Sequence, residues 1–269
     1  MIPNPFPLAG LCLICACAEV PKQYSDEPPY TAPTATTIKS APAQTVPVLS
    51  SFSTEFDPGV ENRVSNITIA ANKLNWTTIP PFSVFSFNSV IGERSVENGY
   101  LNVPQFFAGT KTEGIGGGVC QVSSTLYVAA MMGGLKVIKR YSHSRPVSYM
   151  PLGMDAAVSY DDLDLVFENP YDGILTIRTI VSDNQLVIAL VGFDAKLEVK
   201  RLYQRHIEKP FPVQEIKSKF LSDKKLYQKG SIGIPGTSTW LYYRNGELIN
   251  TVLAISNYAP VPEIWIVPQ

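Results

Sequence analysis

The sequence predicts an α+β fold, with a cysteine-bearing helix packed on a mostly antiparallel sheet and a small all-β module after it. Three observations lead there. Residues 63–75 and 121–132 repeat apolar side chains at helical spacing. Short segments rich in β-branched and aromatic residues follow Gly134, separated by Asn, Asp, Gly and Pro. Near the end, Asn245-Gly246 sits between two alternating runs, the pattern of a tight hairpin. Helices first and strands afterwards place the chain in the α+β class.

The 269 residues carry 22 basic and 23 acidic side chains, and charged residues make up only 17%. No basic stripe alternates with aromatics, so nucleic acid is excluded as an expected partner. An apolar share of 45% suits a globular core.

Residues 1–20 differ from the rest. "FPLAGLCLICACAEV" is apolar but too short to span a bilayer comfortably, and it reads as an export segment. Ile14-Cys15-Ala16-Cys17 resembles a loose lipoprotein processing site with Cys17 as the lipidated residue; an ordinary cleaved signal and an uncleaved anchor are the alternatives. Each sends the chain out of the cytoplasm, to the cell envelope, with membrane contact only through this N-terminal segment. Residues 21–48 are rich in Pro, Thr, Ala and Ser, and are expected to be an extended linker.

The main domain is expected over residues 49–200. In 63–75, Val64, Ile67, Ala70, Ala71 and Leu74 share one helical face. A proline turn and an alternating strand follow in 78–92, with Val84 and Ser86 opposed to Phe85 and Phe87. After the second helix, strands are expected in "LKVIKRYSH", "PVSYMP", "DAAVSY", "DLVFEN", "ILTIRTIVS" and "QLVIALVGF", with "YDGI" and "SDNQ" as hairpin turns. Residues 209–269 are expected to form a separate β module. Its Trp240, Tyr242 and Tyr243 are either glycan contacts or ordinary packing.

Beyond residue 20, Cys120 is the only cysteine, so it has no disulfide partner in an exported domain. It is either a buried filler or a functional thiol. Three glycines, Gly116 to Gly118, precede it, and the helix after it closes at Gly133-Gly134. A thiol at a helix N-terminus is held toward the thiolate, and the N–H groups there can hold an oxyanion. Of the two histidines, His206 stands at the junction with the tail, whereas His143 lies in the same domain and is the better base. Asp155 or Asp164 would orient its ring. Zinc lacks a sufficient ligand set, no nucleotide-binding fingerprint is present, and no metal or cofactor is expected.

"FSFNSVIGERSVENGY", "GIGGGVCQVSSTLY", "KRYSHSRPVSYMPLGMDAAVSY" and "DLDLVFEN" together resemble the VanW family of cell-wall proteins, in order over residues ~52 to ~193. The tail resembles the wall-associated G-five module through "KG", Gly233, "NGE" and "NYAPVPEIW". The first resemblance implies a link to glycopeptide resistance and a cysteine-dependent L,D-transpeptidase that makes 3–3 crosslinks between peptidoglycan stem peptides. In that reading Cys120 is the nucleophile and His143 the base. Gly117, Gly118 and Gln121 form the oxyanion loop, and Tyr141, Ser142 and Arg145 contact substrate. The His-Gly-Cys motif of the better-known L,D-transpeptidases is absent. An L,D-carboxypeptidase and a non-catalytic wall-binding protein are the alternatives.

Overall fold

The computed structural model describes residues 30–31, 46–107, 110–220 and 222–269. The export segment, Cys17 and nearly all of the 21–48 linker lie outside the described residues. Among those described, no helix is long and apolar enough to cross a membrane.

The framework is a four-stranded antiparallel sheet in the order Val48–Glu55, Gln185–Val191, Leu175–Ser182, Thr78–Ile79. Helices α1 (Glu61–Leu74) and α3 (Val119–Met132) pack against it and against each other. In α1 the buried residues Ile67, Ala70, Ala71 and Leu74 form the expected apolar face. Burying a side chain such as Leu74 or Ile67 stabilises the fold by roughly 1.5–3 kcal/mol. Polar pins fix the register: Ser50 donates to the Ala129 carbonyl at 2.7 Å, and Thr179 to the Ala71 carbonyl at 2.8 Å.

Helix α3 departs from the amphipathic pattern. Every residue of it is buried except Cys120. A helix with so little polar surface belongs in the interior; this one runs through the core cluster, its few polar side chains (Gln121, Ser123, Ser124, Thr125) buried with it. Gly134, at φ 69°, ends it: the Leu135 N–H reaches the Ala130 carbonyl at 2.9 Å.

Several segments differ from the sequence expectation. The strand foreseen through residue 92 stops at Ser86, where the short helix α2 (Phe87–Ile91) begins, because the Ser86 hydroxyl accepts the Ser89 N–H at 3.1 Å and caps it. "PVSYMP" and "DAAVSY" form no strands; a lone bridge joins Ser159 and Leu163. "YDGI" is no hairpin turn, since it connects strands Val166–Glu168 and Leu175–Ser182, which lie in different sheets. "SDNQ" is one, with Asp183 at φ 50°.

The tail packs on the rest of the chain. Strands Glu198–Arg205, Ile234–Arg244 and Glu247–Tyr258 form one antiparallel sheet, so the step expected between residues 200 and 209 falls inside it. Trp240 and Tyr242 are buried in the main core, as packing residues. The Asn245-Gly246 hairpin forms as expected, with both residues at positive φ. A smaller three-stranded sheet, Val213–Ser218, Glu263–Pro268 and Lys225–Gln228, completes the tail.

Candidate active site

The glycine run is pressed against α1. Gly116 and Gly118 take φ of 82° and 110°, which side chains resist. A Cβ on Gly117 would sit 2.9 Å from Val103 Cβ, and one on Gly118 would sit 2.9 Å from Ile67 Cγ1. The loop therefore brings the start of α3 hard against its neighbours and leaves Cys120 half-buried in the first turn.

The next turn ties the helix to the segment that carries Asp155. Ser123 Oγ donates to the Ala156 carbonyl at 2.6 Å, and the Ala156 N–H donates to Ser124 Oγ at 2.9 Å. That pair of serines stands one turn beyond Cys120, so Asp155 and its partners are set beside the thiol. Asp155 is fully buried. Its Oδ2 accepts His143 N at 2.6 Å and lies 2.7 Å from His143 Nδ1. Its Oδ1 accepts Arg140 Nη2 at 3.0 Å and the Tyr258 hydroxyl at 2.5 Å. Arg140 also donates through Nε to the Asp155 carbonyl at 2.6 Å and through Nη1 to the Ile255 carbonyl at 2.8 Å.

Charge follows this geometry. Burial disfavours the His143 imidazolium, but the hydrogen bond to Asp155, then the pairing with Cys120, outweigh burial and raise its pKa to about 9. Burial likewise works against the Cys120 thiolate. The hydrogen bond and charge of His143, a backbone hydrogen bond at Val158 and the charge of Arg94 together hold the thiol below its ordinary value. In the thiol form Sγ can donate to the Val158 carbonyl oxygen, 3.4 Å away. Asp155 is held below the usual carboxylate range: burial opposes this, and His143 and Arg140 prevail. The arrangement favours a thiolate–imidazolium pair anchored on a buried carboxylate, suited to nucleophilic attack and proton return.

The other expected site residues are spread more widely. Asp164 does not reach His143; its oxygens accept Ser86 Oγ at 2.6 Å and Asn88 N at 2.9 Å, at the start of α2. Asp164→Ala is expected to lower stability by about 1–2 kcal/mol in urea unfolding, as a lost cap does, with the iodoacetamide rate at Cys120 within about twofold of wild type because the Asp155–His143 contacts are untouched. Gln121 is corrected as an oxyanion donor: its N–H is engaged with the Gly118 carbonyl at 2.9 Å. Its side chain is a buried strut, accepting from Arg63 Nη2 at 2.6 Å and donating to Thr54 Oγ1 and the Glu55 carbonyl, both at 2.9 Å. The Cys120 N–H has no acceptor among the described residues. Gly117 and Gly118 set the backbone path. Tyr141 is exposed, Arg145 half-buried, and Ser142 Oγ accepts the Asn257 N–H at 3.3 Å. His206 stands apart, its Nε2 3.0 Å from Thr237 Oγ1.

Sequence reasoning missed Arg140, Tyr258, Ser123 and Ser124. The serines carried a signal: with Thr125 they make three adjacent hydroxyls in a helix that is otherwise mostly apolar. Tyr258 carried none, since 103 residues separate it from Asp155. Among the described residues no group of three or more His, Cys, Asp or Glu is placed to hold a metal ion.

Fold and site thus define an α+β protein with a buried helix that presents a single thiol to a His–Asp pair. Residues 62–191, nearly half of the chain, match the family model described as VanW like protein and make this a VanW-like region. It is 38% identical over 146 residues to an uncharacterized protein, YoaR, of Bacillus subtilis, an alignment covering 54% of this chain and 48% of that one. It is 30% identical over 132 residues to the vancomycin B-type resistance protein VanW of Enterococcus faecalis, covering 47% and 48% respectively. The chain spans about half the length of the curated relatives it matches.

Proposed function

We propose that this protein is an exported, envelope-associated cysteine acyltransferase of the L,D-transpeptidase type, acting on peptidoglycan stem peptides. The observation that carries the reading is the Cys120–His143–Asp155 relay at the one solvent-accessible position of α3. The likeness to a vancomycin resistance protein supports placing the reaction in the cell envelope.

The Cys120 thiolate attacks the carbonyl carbon of the third stem residue, forming a C–S bond. The oxyanion is received by the Cys120 N–H. As the C–N bond breaks, the His143 imidazolium gives its proton to the departing amine of the terminal D-alanine. A side-chain amine of a neighbouring stem then attacks the thioester, passes its proton to His143 and expels the thiolate. Water in place of that amine makes the site an L,D-carboxypeptidase.

Purified protein incubated with disaccharide-tetrapeptides is expected to yield crosslinked dimers by mass spectrometry, and Cys120→Ala none. Equal product from both would remove the thiol from the chemistry. A non-catalytic wall-binding protein would give neither product nor a native-state iodoacetamide adduct.

A further inference from the structure

Two guanidinium groups, those of Arg63 and Arg94, lie within electrostatic reach of the thiol, and among the described residues no carboxylate forms an ion pair with either. They flank the glycine loop. A Cβ on Gly116 would lie 2.9 Å from Arg94 Cβ, and one on Gly118 would lie 3.3 Å from Arg63 Cγ. Arg94 donates through Nη1 to the Gly92 carbonyl at 3.2 Å and through Nη2 to Asn88 Oδ1 at 2.6 Å. Arg63 donates through Nη2 to Gln121 Oε1. Every one of these acceptors is uncharged. Among the described residues neither arginine makes an ion pair, in contrast to Arg140, which Asp155 matches at 3.0 Å. Asp164, whose charge reaches Arg94, has its oxygens committed to Ser86 and Asn88.

A half-buried cation without a counter-ion is costly unless a ligand supplies the anion. Supporting the thiolate does not by itself account for Arg94, because His143 already does so through a hydrogen bond as well as its charge. Arg94 holds several donors beyond its two described bonds, and a guanidinium matches a carboxylate in a two-pronged geometry. In a peptide attacked at Cys120, the next Cα lies about 4 Å along the chain, so a terminal carboxylate there falls close to the attacked carbon.

We propose that Arg94 determines specificity by receiving the free carboxylate of the single residue that leaves, so that the acyl donor must end one residue beyond the bond Cys120 attacks. Arg63 adds charge of the same sign across the glycine loop. The inference rests on the acyl-transfer reading above and narrows it to donors with a free C-terminal carboxylate in that position. Donors that are amidated there, or extended by a further residue, fit poorly.

The test follows Cys120 acylation by intact-protein mass spectrometry, with a disaccharide-tetrapeptide and its C-terminal amide as donors. Wild type is expected to favour the acid by about 100-fold in kcat/KM, the scale of a lost charge-assisted pair. Arg94→Gln should bring the two donors within about threefold, slowing the acid far more than the amide, whose smaller loss reflects the weaker hold on the thiolate, and Arg94→Lys should keep part of the preference. Equal wild-type rates on acid and amide would overturn the proposal and leave acyl transfer standing; that comparison needs no variant to fold. An Arg94→Gln protein that keeps the full preference would overturn it too. Absence of any Cys120 adduct from either donor would sink the acyl-transfer reading and this inference together.

Discussion

Asp155→Asn is expected to slow thioester formation by about 10³–10⁴-fold, the scale seen when a buried carboxylate behind a catalytic histidine becomes an amide. Both Asp155 oxygens face donors: His143 N and Nδ1 on one side, Arg140 and Tyr258 on the other. An amide nitrogen on either side meets an N–H or O–H, and on the His143 side it also favours the wrong ring tautomer. Losing the negative charge lowers the His143 pKa, so the imidazolium is depleted at neutral pH and the thiol pKa rises. The pH profile of iodoacetamide modification reads this directly. Wild type should ionise below the free-cysteine value of about 8.5, and Asp155→Asn above the wild-type midpoint. A profile unchanged by the substitution would sever the carboxylate from the thiol.

Gly118→Ala is expected to destabilise the fold by about 3–5 kcal/mol, combining a left-handed backbone with an overpacked contact. At φ 110° the residue already resists a side chain, and the new Cβ would lie 3.1 Å from the Arg63 carbonyl oxygen, a backbone atom of α1 that cannot turn aside. Gly246→Ala is the informative comparison. Its φ is 82°, yet nothing lies within 4 Å of the added Cβ, so only the backbone cost of about 1 kcal/mol remains. Urea midpoints for the two variants separate strain from crowding. Equal losses would mean the glycine loop is not tightly seated on α1.

Much of this was legible in the residues themselves. Periodicity found α1 and α3, because apolar spacing is a local property. Asn245-Gly246 located its hairpin because positive φ at both positions selects those residues. A lone thiol behind three glycines, with one histidine in the same domain, marked the candidate pair. What escaped was non-local. Spacing left Asp155 and Asp164 equivalent; they part only because Ser123 and Ser124 bind the backbone at Ala156, while α2 claims Asp164 for its first turn. "DAAVSY" was expected to be a strand on its β-branched and aromatic residues, but its backbone bonds go to the helix serines and to the Tyr141 and Leu163 carbonyls instead of a strand ladder. The tail looked separable because its strands are paced around their own Asn245-Gly246 hairpin; its aromatic anchors Trp240 and Tyr242 were ambiguous until their burial was known.

The family match ends at residue 191, but the buried aspartate's hydrogen bonds do not. Tyr258 grips its carboxylate, and the Ala259 N–H fastens to the Ser144 carbonyl at 2.8 Å, next to the histidine. The terminal strands therefore act as the clasp of the loop that carries His143. A truncation between residues 191 and 258 would remove that outer support of the Asp155–His143 pair without touching one residue of the matched region.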